Sequence, residues 1–277
     1  MKPKWIIDHL LTDGNEQKLE KAIKAQGMEC IKTKYIPFSF LNEDLKDQVQ
    51  GQNIVLYGTL EFCRQINEQL LPVPGAYLKK NNLKFSTYAC YYYDYLMNKD
   101  FYIKPFGVIR KELSVGNPNY IFIRPNDVTK EFAGQVVNNV KELEYINRME
   151  LISDETLCVV SSPKEILEET RFVVVNGKAI AGSRYMLNGK LNIDSVYDPL
   201  AESFLDHMLF DVPNWTPDTV FVADVALYKE YPNYSTETKY GLIEINSFSC
   251  AGLYACDLDE VAKYVSGAAA DEFDLSY

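Results

Sequence analysis

The sequence predicts an α/β protein: a short parallel sheet with helices at the N-terminus, then strand-rich α+β lobes. Three observations carry this. Between residues 3 and 70, apolar runs and helical patterns follow one another as strand, helix, strand, strand, helix. From residue 101 the texture turns to β-branched and aromatic runs. Within that part, "VVVNGKAIAG" sets Asn176-Gly177 between two such runs, the strongest short signal for a hairpin.

The elements are expected in this order. "PKWIID" (3–8) is a strand, and 13–27 a helix with Asp13 as N-cap and Gly27 as its end. "CIKTKYIPF" (30–38) and "QNIVLYG" (52–58) are strands, and 60–70 is a helix. "LPVPGA" (71–76) marks a boundary, because two prolines and a glycine stop regular structure. Residues 82–100 read as a helix whose five tyrosines within 88–95 suit a packed side, a homodimer contact or a substrate platform. "FYIKPFGVI", "NYIFIRP" and "TLCVVSS" read as strands, with a helix over about 136–149. After the hairpin of 169–185 come a helix (199–209) and two strands (219–228 and 240–248) joined by a polar, tyrosine-rich loop. The small, acidic tail "GAAADEFDLSY" caps or frays the last helix.

Composition narrows the function. The 277 residues suffice for a sizeable core and two or three subdomains. No apolar run is long enough for a membrane span, and the N-terminus lacks a signal-peptide core, so the expected compartment is the cytoplasm. The formal charge of −11 argues against a broad nucleic-acid surface. Six scattered cysteines without a CxxC, and only two histidines, argue against disulfides and a Cys/His zinc site. Cys250 and Cys256 read as small buried residues or a thiol pair.

The chemistry concentrates in "GLIEINSFSCAG" (241–252). Side chains two apart on a strand share a face, so Glu244 and Asn246 point the same way. If 219–228 pairs beside them, Asp224 adds a second carboxylate, and the all-oxygen set suits Mg²⁺. The alternative partner for a carboxylate inside "LIEI" is an arginine, Arg171 or Arg184. Arg124, Arg171 and Arg184 at strand positions, with Lys130 in a turn-rich loop, together suit a triphosphate. The usual phosphate motifs, GxxxxGK[ST] and GxGxxG, are absent.

The ordered set "ETRFVVVNGKAIAGSRY", "FVADVAL" and "GLIEINSFSCAG" resembles the ATP-grasp superfamily. "IFIRPNDVTKEFAG" looks more particularly like its R2K clade, whose members occur in bacteria and phages. The resemblance spans roughly 80–265 and implies an ATP-grasp fold behind a Rossmann-like pre-ATP-grasp domain. The implied units are 1–76, the small lobe 77–162 with a phosphate-covering loop, and 163–277 with the metal site. It implies a carboxylate–amine or peptide ligase that uses ATP with one or two Mg²⁺ ions, Mn²⁺ being the alternative. Asp224, Glu244 and Asn246 would hold the metal. Arg124 stands where the superfamily usually has a lysine, with Lys130 in support, and Lys84 or Lys104 at the first lysine position. The backbone of Val160, Ser161 and Ser162 would meet the adenine edge; Glu169, Arg171 and Arg184 would line the phosphate and acyl side; Ser247 and Ser249 would meet the acyl substrate.

The substrates implied are a small-molecule or peptide carboxylate and an amine. Arg124 in place of lysine, without a long glycine-rich loop, leaves two other readings: a degenerate nucleotide-binding or interaction protein, and a kinase-like phosphotransferase. Asp224→Asn and Glu244→Gln are expected to separate turnover from mere binding with the fold intact.

Overall fold

The computed structural model describes residues 1–8, 15–33, 43–116, 120–128, 131–230 and 237–276. Strands β1 (Lys4–Asp8), β2 (Cys30–Thr33), β3 (Asn53–Tyr57) and β4 (Val73–Gly75) form a parallel sheet in the order β2-β1-β3-β4. Helices α1 (Glu16–Ala25), α2 (Glu43–Val49) and α3 (Leu60–Leu70) connect them. β3 is buried at every residue, as a parallel strand covered on both faces must be. Gly27 ends α1 at φ 72°, donating to Lys24 O. Asn15 holds the N-cap position of that helix, and Asp13 falls outside the described residues. "LPVPGA" is not merely a boundary: it carries β4, an edge strand, where a proline without an N–H is tolerated. Of "CIKTKYIPF" the described part is β2 alone.

The helix expected over 82–100 is broken. α4 (Lys80–Leu83) and α5 (Phe85–Tyr91) are followed by a 3₁₀ turn, Tyr93–Tyr95. Continuation fails because the backbone finds another partner. Met97 N donates to Leu242 O at 3.0 Å, and Leu96 pairs in parallel with Leu242. Gly241 permits this approach, since a methyl there would fall 2.7 Å from the Met97 Cα.

The second sheet is antiparallel, in the order β5-β8-β6-β7: β5 (Tyr102–Pro105), β6 (Ile121–Pro125), β7 (Gln135–Val137) and β8 (Leu157–Ser161). The run "FYIKPFGVI" is β5 followed by helix α6 (Phe106–Ser114), not one strand. Helix α7 (Val140–Glu150) starts later than expected because Asn139 caps it, accepting from Glu142 N at 3.1 Å. Phe106, Ile109, Ile123, Leu143 and Val160 give this lobe its own apolar core.

The third sheet, β11-β10-β9-β12-β13, contains β9 (Lys164–Val175), β10 (Lys178–Leu187), β11 (Lys190–Asp194), β12 (Val220–Glu230) and β13 (Lys239–Ser247). Asn176 and Gly177 turn at φ 51° and 73°, as the hairpin signal requires. Asn188 and Gly189 repeat that turn at φ 49° and 70° and build β11, a strand the sequence reading missed. Helices α8 (Pro199–Asp211) and α9 (Leu258–Ser276) complete the chain, and α9 takes in the acidic tail.

Alternation along β9 ties this sheet to the first. Phe172 and Val174 enter a core with Ile6 and Leu56; Val173 and Val175 enter another with Trp5, Ile7, α1 and α9. No helix among the described residues is long and apolar enough to cross a membrane.

Candidate functional site

Register assembles the site. Arg171 of β9 lies opposite Asp224 of β12, which lies opposite Glu244 of β13. The three therefore form one row on one face of the sheet. Arg171 grips Asp224 bidentately, Nε to Oδ1 at 2.8 Å and Nη2 to Oδ2 at 2.7 Å. Its Nη1 donates to Gly252 O at 3.1 Å. Both side chains are buried, at 9% and 1% exposure, so this is a desolvated pair and not a surface one. Burial opposes the Arg171 charge, but Asp224 outweighs it and holds the guanidinium pKa well above its usual value.

Glu244 meets a cation from the other lobe. Arg124 of β6 reaches its Oε2 at 2.9 Å and donates to Ile243 O at 3.3 Å. Asn246 Nδ2 donates to Glu244 Oε1 at 2.7 Å, as side chains on one face can. Burial works against the Arg124 charge; Tyr88, Glu244 and Asp224 overcome it, and its pKa is raised. The arginine alternative for Glu244 is thus realised, but by Arg124 and not by Arg171 or Arg184.

Two clefts share this row as their wall. A cleft of about 430 Å³ between the lobes is lined by Phe122, Arg124, Gln135, Lys164, Glu169 and Glu244, among others. A second, of about 400 Å³, is lined by Leu60, Leu78, Arg171, Asn246, Ser247 and Tyr254, among others. Glu169 belongs to the first. Burial raises its carboxyl above the ordinary value, the Tyr185 hydroxyl donating at 2.5 Å pulls it partly back, and Asp224 and Glu244 push it up again.

The structure thus brings together Arg124, Glu169, Arg171, Asp224, Glu244, Asn246 and Ser247. Other expected residues stand elsewhere. Arg184 lies opposite Thr170, on the reverse face, and is held by Asp194 at 3.2 Å and Asn192 at 3.0 Å. Lys104 pairs with Glu112 at 2.6 Å, away from both clefts. Lys84 stands at the margin, 3.6 Å from Asp127, which lines the first cleft. Val160 sits in β8 with strands on both sides, so its backbone is committed to the sheet, and Ser161 pairs with Phe122 of β6. Ser162 N donates to Asp100 Oδ2 at 2.9 Å instead of facing the cleft. Ser249 is fully buried, its hydroxyl accepting from Tyr77 N at 3.0 Å, and Ser247 donates to Tyr77 O at 2.7 Å. Both serines therefore join this loop to the segment just after β4. Lys130 lies outside the described residues.

The neighbour of Cys250 is Cys63, not Cys256; the hydrogen bond between these thiols lowers the Cys250 pKa. The sequence reading missed Lys164 and Tyr185. Lys164 is 5% exposed and lines the first cleft, and its only signal was a lysine directly after the "SSP" turn. Tyr185 became visible only with the β-bulge between Arg184 and Met186, which turns its ring toward Glu169 and Arg171.

Among the described residues no three His, Cys, Asp or Glu side chains cluster as metal ligands. The set that fits a hard divalent ion is two carboxylates and an amide. Asp224 and Glu244 already accept guanidinium protons, so an ion held there would share their oxygens with Arg171 and Arg124.

The family model for the ATP-grasp domain, R2K clade family 2, matches residues 97–264. No curated protein matches the sequence. Among solved structures, the chain is similar to a RimK domain ATP-grasp protein from Sphaerobacter thermophilus (TM-score 0.59, 13% identity, 97% of this chain and 98% of that one). It is also similar to D-alanyl-alanine synthetase A from Vibrio cholerae (0.57, 10%, 99% and 99%). A third is the ATP-grasp ligase PsnB complexed with a minimal precursor (0.56, 12%, 98% and 100%). At these identities the likeness is one of fold.

Proposed function

The chain belongs to the ATP-grasp family of the R2K clade, and from that premise we propose that it is an ATP-dependent ligase joining a carboxylate to an amine through an acylphosphate. The single observation that carries the reading is the shared wall. Arg124 and Glu244 face the inter-lobe cleft while Arg171 and Asn246 face its neighbour, so a phosphate in one and a carboxylate in the other would meet at the row. Solved relatives include a ligase with a peptide precursor and a synthetase that joins alanines, which supports a small or peptide carboxylate as donor. The functional division would follow 1–76, 77–162 and 163–277, in the cytoplasm.

In this reading the carboxylate oxygen attacks the γ-phosphorus and ADP leaves; the amine nitrogen then attacks the acyl carbon, loses a proton and expels phosphate. Asp224, Glu244 and Asn246 would hold Mg²⁺, which supplies charge neutralisation on the phosphates when bound. Arg124 offers a planar fork to the transferring oxygens, already aimed by Glu244 and Ile243 O. Arg171, fixed by Asp224, presents one edge to the second cleft and orients the acyl group there. Tyr185 holds Glu169 in place beside the row, two residues along β9 from Arg171.

Calorimetry with Mg·ATP tests this, followed by ADP release in the presence of carboxylate and amine pools. Saturable binding with ADP release that needs both pools is expected. Absence of nucleotide binding by folded protein ends the reading. Binding without turnover favours the degenerate scaffold, for which the displacement of Arg184 and Lys104 speaks.

The raised Glu169 carboxyl gives a pH signature. Its stabilising share is full below the ordinary value of 4.5 and is lost as pH rises through the folded value. The same ionisation adds negative charge beside the phosphates. Nucleotide affinity should therefore fall as pH climbs above 4.5 through that window. Glu169→Gln should flatten the profile in a titration series; an unchanged slope rules Glu169 out as the cause.

A further inference from the structure

The first cleft has two unlike ends. Arg124 and Glu244 mark the charged end. The other lies toward Ile166 of β9. Met97, Ile166 and Ile243 belong to one apolar cluster there, and Ile243, next to Glu244, links it to the charged end.

Polar groups at that end are unequally committed. Lys164 has three protons and three acceptors: Ser162 Oγ at 2.6 Å, Asp100 Oδ1 at 3.2 Å and Glu230 Oε2 at 3.2 Å. The Ser162 N–H and hydroxyl both go to Asp100. These donors are taken. One acceptor is not: Asn98 Oδ1, in a residue that lines the cleft, is buried without a hydrogen-bond partner among the described residues. Its position is fixed from behind. Met97 is pinned to Leu242 O, and Asp100 is tied to Ser162 and Lys164. A buried acceptor costs free energy until a donor reaches it.

Resting on the nucleotide reading above, we infer that Asn98 is a specificity-determining residue whose side-chain oxygen accepts a hydrogen bond from the 6-amino group of adenine. A base inserted between Met97, Ile166 and Ile243 carries its exocyclic amine as the donor this end lacks. Asparagine suits adenine because its amide can answer the amino group and a neighbouring ring nitrogen together. Adenine selection then lies in a side chain of the 97–100 strap and not in the 160–162 backbone.

The test compares ATP with the 5′-triphosphate of purine riboside, which has hydrogen in place of the 6-amino group. Calorimetry on the full chain with Mg²⁺ should show the wild type preferring ATP by roughly ten-fold. Asn98→Ala should bind both weakly and equally. Asn98→Asp, which keeps the acceptor, should retain the preference and serves if the alanine variant does not fold. An ATP preference undiminished in Asn98→Ala, or lost in Asn98→Asp, overturns the inference while leaving the ligase reading in place. If neither triphosphate binds the wild type, the nucleotide reading falls first and takes this one with it.

Discussion

Asp224→Ala should lower the unfolding free energy by roughly 3–5 kcal/mol, because it strands a largely buried guanidinium. Arg171 is 9% exposed and gives Asp224 two of its donors; Gly252 O and the ring faces of Tyr185 and Tyr254 would remain for it. Against a typical total of about 5–15 kcal/mol the loss is roughly a fifth or more. The thermal midpoint should drop by on the order of 10 °C. The sequence-based expectation that Asp224→Asn leaves the fold intact is therefore revised: an amide keeps the volume and loses the charge that Arg171 requires. Joint replacement, Asp224→Leu with Arg171→Met, should recover most of the stability and none of the turnover. If Asp224→Ala melts with the wild type, the pair is not the buried contact described.

Glu244→Gln should act the other way, on chemistry with little loss of fold. Its partner Arg124 is 14% exposed at a cleft wall, keeps Ile243 O, and still finds an acceptor on glutamine, so the change should cost about 1–3 kcal/mol. Turnover should fall roughly 10²-fold or more, since a fixed charge at the reacting phosphate is removed. The discriminating measurement is nucleotide affinity with and without Mg²⁺. Wild type should show a strong cation dependence and Glu244→Gln a weak one. An equal dependence in both would remove Glu244 from the metal set.

Legibility followed the range of the interactions. The Asn176-Gly177 turn and the Glu244/Asn246 face were readable because both rest on local rules: left-handed backbone and strand alternation. The place of Asp224 needed one further assumption, that β12 and β13 pair, and the register then set it opposite Glu244. Arg184 failed for the same reason that Glu244 succeeded. One residue along a strand reverses the face, and the bulges in β10 cannot be read from composition. The partner of Glu244 came from β6, more than a hundred residues upstream, a choice that only tertiary structure makes. The helix of 82–100 was lost to a backbone contact with β13, for which no local pattern gives warning.

The two cores that run through β9 carry a consequence for how such a chain can be divided. The stretch matched by the family model begins at residue 97 and ends at 264, partway along α9. Phe172 and Val174 on one side, Val173 and Val175 on the other, find their neighbours in Ile6, Leu56, Trp5 and Ile7, all upstream of that start. Ancestry and cooperativity thus mark out different lengths of the same polypeptide. A fragment cut at the borders of kinship would inherit the row of Arg171, Asp224 and Glu244 and forfeit the floor on which it stands.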